Sequence, residues 1–536
     1  MIDARDVASG ALLTADICVV GAGACGTTLA AELDGGSRDV LLVESGGLGP
    51  DEETQSLYEI ENAGYPIREN FMSRARYYGG SCNLWAGRNM LIEPIDCSAR
   101  SRVPAGGWPI PYEEIASYHS RAGRALRLPP VEAFDEAAYS ARMSGDERAL
   151  FAPGPLRPVI SLWATKPVRF GSAHKKRLRR SRGTRLLLHA SVVHACLNRE
   201  GTVVDSLEAR TTGGKRIDIR AKTFVFACGG LENARLLLVT RERSGEAGAG
   251  RWDALGRFFM DHPRAVFGTV RLRKGNRLPL IRGIPLRDGK VQFGVGLSEE
   301  TQRNEGLLNH YATLEAQYSA YVEQKYQTVV QSMKVLLRRG YAGSRWKIGR
   351  AELPEIPGMI YLLTPKELMP HFVYRWTTTL RRALNPESGG NNRVVVYFCE
   401  QPPDPESRVT LCDKKDALGV PRLRLHWRIS PEVTRTLFRL QEILGDHLEK
   451  RGIGTLEPGE GEPRFSDASH HLGTTRMADD PGRGVVDRDC RVHGIRNLYF
   501  AGGSIFPAAG HSSPTLTMIA LTLRLADHLA GTGARS

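Results

Sequence analysis

One stretch near the amino terminus does most to restrict what this chain can fold into: DICVVGAGACGTTLAAEL, residues 16–33. Residues 16–20 are apolar and rich in β-branched side chains, 21–26 are dominated by glycine, and the residues after them favour helix. The order is strand, tight turn, helix. Each glycine has a separate steric task. Gly21 permits the turn, Gly23 lets the backbone approach a pyrophosphate, and Gly26 allows the helix to pack closely on the strand. The helix N-terminus, starting around Ala24, presents free N–H groups to phosphate oxygens. A second apolar run, VLLV at 40–43, leads into Glu44, 23 residues past Gly21, where a carboxylate accepts hydrogen bonds from a ribose. Strand, turn, helix, second strand and acid all fall in order, so a dinucleotide site is expected. The motif alone does not separate FAD from NAD.

The chain has 536 residues, more than the ~250–300 at which a single core stops growing, so two closely packed domains are expected. With 41% hydrophobic and 25% charged residues it has the composition of a globular enzyme. No signal peptide or spanning helix is expected, because residues 1–20 show no basic stretch followed by a long apolar one and no run of ~18 apolar residues occurs. Nine cysteines occur singly, without a CxxC pair, which suits reduced thiols in a cytoplasm and argues against a disulfide framework or a zinc site. No metal is expected. The net charge of +14 comes in part from two basic stretches, 174–182 and 334–350. Their plain reading is solvated surface; the functional one is attraction to a polyanion or a membrane surface. Aromatics are not interleaved with them as base stacking requires, which argues against nucleic acid. Residues 321–340 can form an amphipathic helix with a basic end, for which core packing is preferred over a peripheral membrane contact.

The C-terminal segment 467–526 carries the next information. NLYFAGG, 497–503, reads as a short strand ending in glycines, where backbone can approach a flat cofactor. Ser513-Pro514 reads as a helix start with Ser513 at the N-cap and Pro514 at the first helical position, and Leu516, Ile519 and Leu523 give that helix an apolar face. The strings SHHLGTTRM, VVD, RVHGIRNLYFAGGSIFP and PTLT follow one another in order. Together with GAGACG, GGSCNLWAG (79–87), GGWPIPYEE (106–114), TFVFACGGLENARLLL (223–238), GRFFMDH (256–262) and EQPPDPESRVTL (400–411), they resemble the glucose-methanol-choline oxidoreductase family.

The resemblance implies an α/β fold: a Rossmann-like FAD-binding domain from 12–100, 184–262 and 466–536, interleaved with an α+β substrate-binding domain built on an antiparallel sheet from 101–183 and 263–465. It implies FAD as cofactor and oxidation of an alcohol, with removal of the hydroxyl proton and transfer of a hydride to the flavin. By resemblance the base is His471, and His470 is a packed neighbour. The family usually places His or Asn just before the proline of the PT motif; here that residue is Ser513, with His511 as a substitute or a residue of the entrance. Where some members tether the flavin through a histidine, this chain has Leu84, so the FAD is expected to be noncovalent. Expected cofactor contacts are Gly21, Gly23, Ala24, Gly26, Glu44, Gly79, Gly80, Ser81, Asn83, Val192, Gly229, Gly502, Ser513 and Thr515, with Val192 meeting the adenine through its backbone.

The expected substrate is a hydroxyl-rich molecule: a sugar, glycoside, cyclitol or aminoglycoside. A long-chain or terpenoid alcohol is the alternative, and the electron acceptor is oxygen, a quinone or a protein. Segment 305–390 is the expected specificity region. Two readings of other classes compete: a nicotinamide-dependent dehydrogenase, which would be colourless, and a noncatalytic flavin-binding protein, which would not need His471.

Overall fold

The computed structural model describes residues 1–35, 37–68, 73–100, 103, 105–164, 166–245, 251–287, 289–316 and 391–531. The basic stretch 334–350, the 321–340 segment and most of 305–390 lie outside the described residues.

The residues that open the glycine-rich motif become the middle of a sheet. Strand Ala11–Val20 pairs in parallel with Val40–Val43 on one side and Arg216–Phe226 on the other. All four residues of Val40–Val43 are buried, as an uninterrupted apolar run demands of a strand covered on both faces. Thr184–Leu188 and then Ile2–Asp3 continue the parallel order outward. On the far side Val204–Arg210 and Ser191–Leu197 add antiparallel strands. The last strand of the chain, Leu498–Phe500, returns to pair in parallel with Phe224–Phe226. This sheet of eight described strands carries the α/β, Rossmann-like character expected from residues 16–44. Helices Ala24–Leu33 and Thr515–Ala530 pack against each other beside it, so the two ends of the chain share one core.

A second, antiparallel sheet runs through Gly454–Glu457, Arg264–Leu272, Asn392–Phe398, Tyr311–Ala316, Gly289–Leu297, Leu156–Ala164 and Arg88–Asn89. Gly289–Leu297 and Asn392–Phe398 flank Tyr311–Ala316 on either side in this wall. Helix Pro431–Lys450 buries Val433, Leu437, Leu440, Leu444 and Leu448, spaced three and four apart, and these join the core beneath the same sheet. At ~1.5–3 kcal/mol per fully buried side chain, this one stripe contributes about as much as a typical net folding free energy before entropy is set against it.

Three connections cross the expected domain limits. Arg88–Asn89, within 12–100, pairs with the second sheet. Ile60–Asn62 joins a small sheet with Pro421–His426 and Arg408–Lys415. Leu418 and Val420 of that hairpin pack on Leu57, Val193 and Val239 beside the first sheet. Within the basic stretch 174–182, Lys175–Arg180 is a short helix with Leu178 buried and most of its basic side chains exposed, the solvated surface of the plain reading. All nine cysteines are unpaired, and among the described residues no helix is long and apolar enough to cross a membrane.

Candidate active site and dinucleotide cleft

The glycines of GAGACG do what their spacing required. Gly21 has φ +98° and a Cβ there would lie 2.6 Å from the Ala227 carbonyl oxygen. A Cβ on Gly26 would sit 1.8 Å from the Gly21 carbonyl oxygen, so any side chain would push the helix off the strand. Gly23 is different: its Cβ position meets nothing closer than Gly80 Cα at 4.0 Å. Gly79 donates its N–H to the Ala22 carbonyl, and a Cβ on Gly80 would come within 2.9 Å of Gly23 Cα. The two glycine loops thus abut, 57 residues apart in sequence, leaving a bare backbone cradle. Gly229, φ +90°, also faces open space.

Glu44 closes the end of this cradle. Its carboxylate accepts from the N–H of Ala22 and of Gly46, both at 2.9 Å, and each oxygen keeps a lone pair. Burial raises its pKa despite these bonds. Around it lies a cleft lined by Gly21, Glu44, Ser45, Ala190, Ser191 and Val192, together with Tyr58, Arg76, Leu418 and Val420. Arg76 bonds Ser45 Oγ and Glu232, and its guanidinium lies over the Tyr58 ring. Sequence reading missed Tyr58 and Arg76, which fall outside any motif, and Glu232, which lies within TFVFACGGLENARLLL but was given no role. Ser81 and Asn83, expected to touch the cofactor, spend side-chain bonds on their own loop: Ser81 Oγ accepts from Ala75, and Asn83 bridges the Tyr78 carbonyl and the Gly171 N–H.

The C-terminal strings converge with GRFFMDH. Buried Asp261 accepts the N–H groups of His262 and Ala468 on Oδ1 and of His470 on Oδ2, at 2.6, 3.0 and 3.0 Å. It thereby locks the two segments together; burial and the neighbouring Asp467 push its pKa up to about 8. His262 Nε2 lies 3.1 Å from the Gly510 carbonyl, and its Nδ1 lies 3.0 Å from His470 Nδ1. The protons on these rings follow. A carbonyl only accepts, so His262 Nε2 carries the hydrogen. Burial lowers the pKa of His262 to about 4, so the ring is neutral and its Nδ1 is an acceptor. His470 must then donate from Nδ1, which leaves His470 Nε2 with its lone pair and no protein partner among the described residues. Burial and the adjoining His262 hold the pKa of His470 well below the usual histidine range.

His471 is placed differently. Its backbone is wedged under Gly230, where a Cβ would lie 2.0 Å from the His471 carbonyl oxygen. Its Nε2 is buried without a hydrogen bond, 4.0 Å from Asp261 Oδ2, and burial followed by the charge of Arg74 lowers its pKa to about 3.

The PT helix corrects one expectation. It spans Thr515–Ala530 with Pro514, not Ser513, at the N-cap and no side-chain cap bond. The Pro514 carbonyl accepts the first helical bond, from Met518, so Pro514 already occupies the cap and Ser513 sits one residue outside it. Ser513 is partly exposed, whereas Thr515 is buried at the first turn. His511 is not at an entrance either. It is buried against the edge of Tyr311, with Nε2 3.8 Å from Glu93 and Nδ1 3.9 Å from Asp96. Gly502, φ +112°, ends the last strand beside Cys25 of the first helix.

Residues 403–522 match the C-terminal family of GMC oxidoreductases. Residues 403–522 thus carry the C-terminal domain of a GMC oxidoreductase. The chain is an oxidoreductase whose relatives are named as oxidases and dehydrogenases. The match starts at the hairpin that reaches the cleft and ends in the PT helix. Paromamine 6'-oxidase of Streptomyces fradiae is 25% identical over 96% of this chain and 91% of its own length. The fructose dehydrogenase large subunit of Gluconobacter japonicus is 28% identical over 57% of the chain, an alignment that spans about half, 47%, of that protein. Among solved structures, formate oxidase of Aspergillus oryzae RIB40, studied for its FAD modification, shares the fold with a TM-score of 0.53 at 16% identity, covering 98% of this chain and 99% of its own.

Proposed function

We propose that this oxidoreductase binds FAD noncovalently and oxidises a CH–OH group of a small hydroxyl-rich molecule, such as a sugar, glycoside, cyclitol or aminoglycoside, with His470 as the base. The FAD-binding unit is assigned to 12–100, 184–262 and 466–536 and the substrate unit to 101–183 and 263–465. Support for FAD is the fit of the cleft: bare backbone at Gly23, Gly80 and Gly229 for phosphates, Glu44 with free lone pairs for ribose hydroxyls, and Val192 and Leu418 for an adenine edge. Leu84 in place of a tethering histidine supports noncovalent binding. When bound, FAD supplies the acceptor for the hydride.

The observation that carries the reading is the chain Gly510 carbonyl, His262, His470. It fixes the tautomer of His470 so that Nε2 is an acceptor, and a neutral imidazole held that way takes the hydroxyl proton as the C–H hydride leaves. The resemblance alone pointed to His471. That ring has its Nε2 buried towards Asp261 and, among the described residues, no partner that fixes a tautomer, so the base is reassigned within the pair. Ser513, freed from the cap, can hydrogen-bond the substrate oxygen; His511, enclosed by Glu93, Asp96 and Tyr311, is a wall residue.

The test is anaerobic mixing of the purified protein with a panel of alcohols, following bleaching near ~450 nm of the conjugated flavin ring. His470→Ala should lower the reduction rate ~10²–10⁴-fold, the usual worth of a general base, while His471→Ala should stay within about tenfold of wild type. The reverse order would return the base to His471, and a colourless protein would exclude FAD. Free flavin in the supernatant after denaturation would establish noncovalent binding, and admitting air to the reduced protein separates oxygen from a quinone or protein acceptor.

A further inference from the structure

One cation in the wall beside the histidines has no counter-charge among the described residues. Arg88 lies on the edge strand Arg88–Asn89, opposite Trp163. Its guanidinium carbon sits over three rings, 5.6 Å from Trp163, 5.3 Å from Tyr311 and 4.8 Å from Phe398. Tyr311 and Phe398 are themselves stacked, with centroids 4.9 Å apart and planes 5° from parallel. Stacking uses the face of a guanidinium and leaves its N–H edge to be satisfied in the plane. That edge is not satisfied: Nε and Nη2 of Arg88 are buried with no hydrogen-bond partner, and no carboxylate among the described residues pairs with it.

The neighbouring arginines show how unusual this is. Arg100 is paired with Glu400, Arg157 with Glu93 and Arg68 with Asp467. The acids nearest the site are thus already engaged, Asp96 by the amide of Asn309. Arg88 is also adjacent to the chemistry. Tyr311, which it stacks on, meets His511 edge-on at 5.3 Å, and the Arg88 charge contributes to the lowered pKa values of both His470 and His511. A forked donor set held rigid by aromatic rings and lacking an acceptor is built to receive an oxyanion. The chain's +14 net charge favours the approach of such a ligand.

We propose that Arg88 binds an oxyanion carried by the substrate, so that the alcohol oxidised here belongs to a polyhydroxylated acid, a sugar acid or a sugar phosphate, in preference to a neutral sugar. This rests on the reading of the same site as an alcohol-oxidising one and narrows its substrate class. The oxyanion takes no part in the bond changes; it orients the carbinol towards His470.

The test uses the flavin-loaded holoenzyme with matched pairs: D-gluconate against D-glucitol, D-glucuronate against D-glucose, and D-glucose 6-phosphate against D-glucose. Two readouts are taken, calorimetric binding and anaerobic flavin bleaching. The acid of at least one pair should half-saturate at a concentration about tenfold or more below its neutral partner, and Arg88→Gln should cut that acid-over-neutral preference about tenfold or more. Arg88→Lys, which keeps the stacked charge but not the fork, should restore part of it and controls for loss of fold. A preference for gluconate or glucuronate identifies a carboxylate, and one for glucose 6-phosphate a phosphate. Neutral sugars bound and oxidised as well as or better than every acid, or a preference indifferent to Arg88→Gln and Arg88→Lys, would overturn the oxyanion site while leaving alcohol oxidation standing. Arg88-dependent binding of an acid with no bleaching by any alcohol would uphold the oxyanion site and remove the oxidation reading.

Discussion

Replacing His262 tests the tautomer relay without touching the proposed base. His262→Ala removes two hydrogen bonds, the one from His470 Nδ1 at 3.0 Å and the one to the Gly510 carbonyl at 3.1 Å. Each neutral bond contributes ~0.5–1.5 kcal/mol net, so ~1–3 kcal/mol is at stake. At ~1.36 kcal/mol per factor of ten, a relay that acts wholly in the transition state predicts a ~5- to 150-fold slower flavin reduction. That is less than the loss expected on removing the base itself, because His470 stays in place but is free to turn or to carry its proton on Nε2. His262→Gln keeps one donor and one acceptor on the side chain and should recover part of the rate. The assay is single-turnover anaerobic flavin reduction at saturating substrate, with flavin content and melting temperature measured on each variant. A His262→Ala variant that binds flavin normally and reduces it at the wild-type rate would refute the relay and remove the reason for preferring His470.

Five further outcomes follow from the geometry. Burial lowers the pKa of His262 to about 4 and that of His470 well below its usual value, so both rings stay neutral above that range. The acid limb of flavin reduction should therefore lie below the ~6.5 of a free histidine; a limb at or above that value contradicts the burial. The stability linked to His262 is fully present above ~6.5 and is lost as pH falls towards 4, so the melting temperature should drop across that window. Glu44→Ala strips the acceptor from the buried N–H groups of Ala22 and Gly46, at ~1–3 kcal/mol for each, and should show as flavin lost on gel filtration. Gly26→Ala places a Cβ 1.8 Å from the Gly21 carbonyl oxygen and should cost about 3 kcal/mol or more, read as lost soluble yield or a lower melting temperature. Ser513→Ala should leave the melting temperature almost unchanged, within about 0.5 kcal/mol of stability, since Ser513 caps no helix; a loss of ~1 kcal/mol would restore the cap.

Much of the first sheet was legible because its signals are local. The bounds of Val40–Val43 coincide with an apolar run too short for a helix. The three glycines of GAGACG are demanded by contacts within one turn of chain, and a lone sequence records such contacts well. Glu44 was legible for the same reason, lying at the end of the very next strand. The helix start at Ser513-Pro514 misled by one residue, because a serine before a proline is a good cap in isolation and only the path of the chain decides which carbonyl receives the first bond.

The histidine site divides along the same line. By itself the amino-acid sequence determined a dinucleotide-binding α/β fold, and its C-terminal strings brought two adjacent histidines, either of which has the right chemistry. Only the tertiary structure decided between them. It brought Asp261 and His262 from 209 and 208 residues away in sequence to lie against His470, and it carried Arg88 across to the aromatic wall. The physical reason is that a proton's position on an imidazole, and whether a guanidinium has an acceptor, depend on partners a few ångströms away in space. Residue order along the chain does not contain those distances.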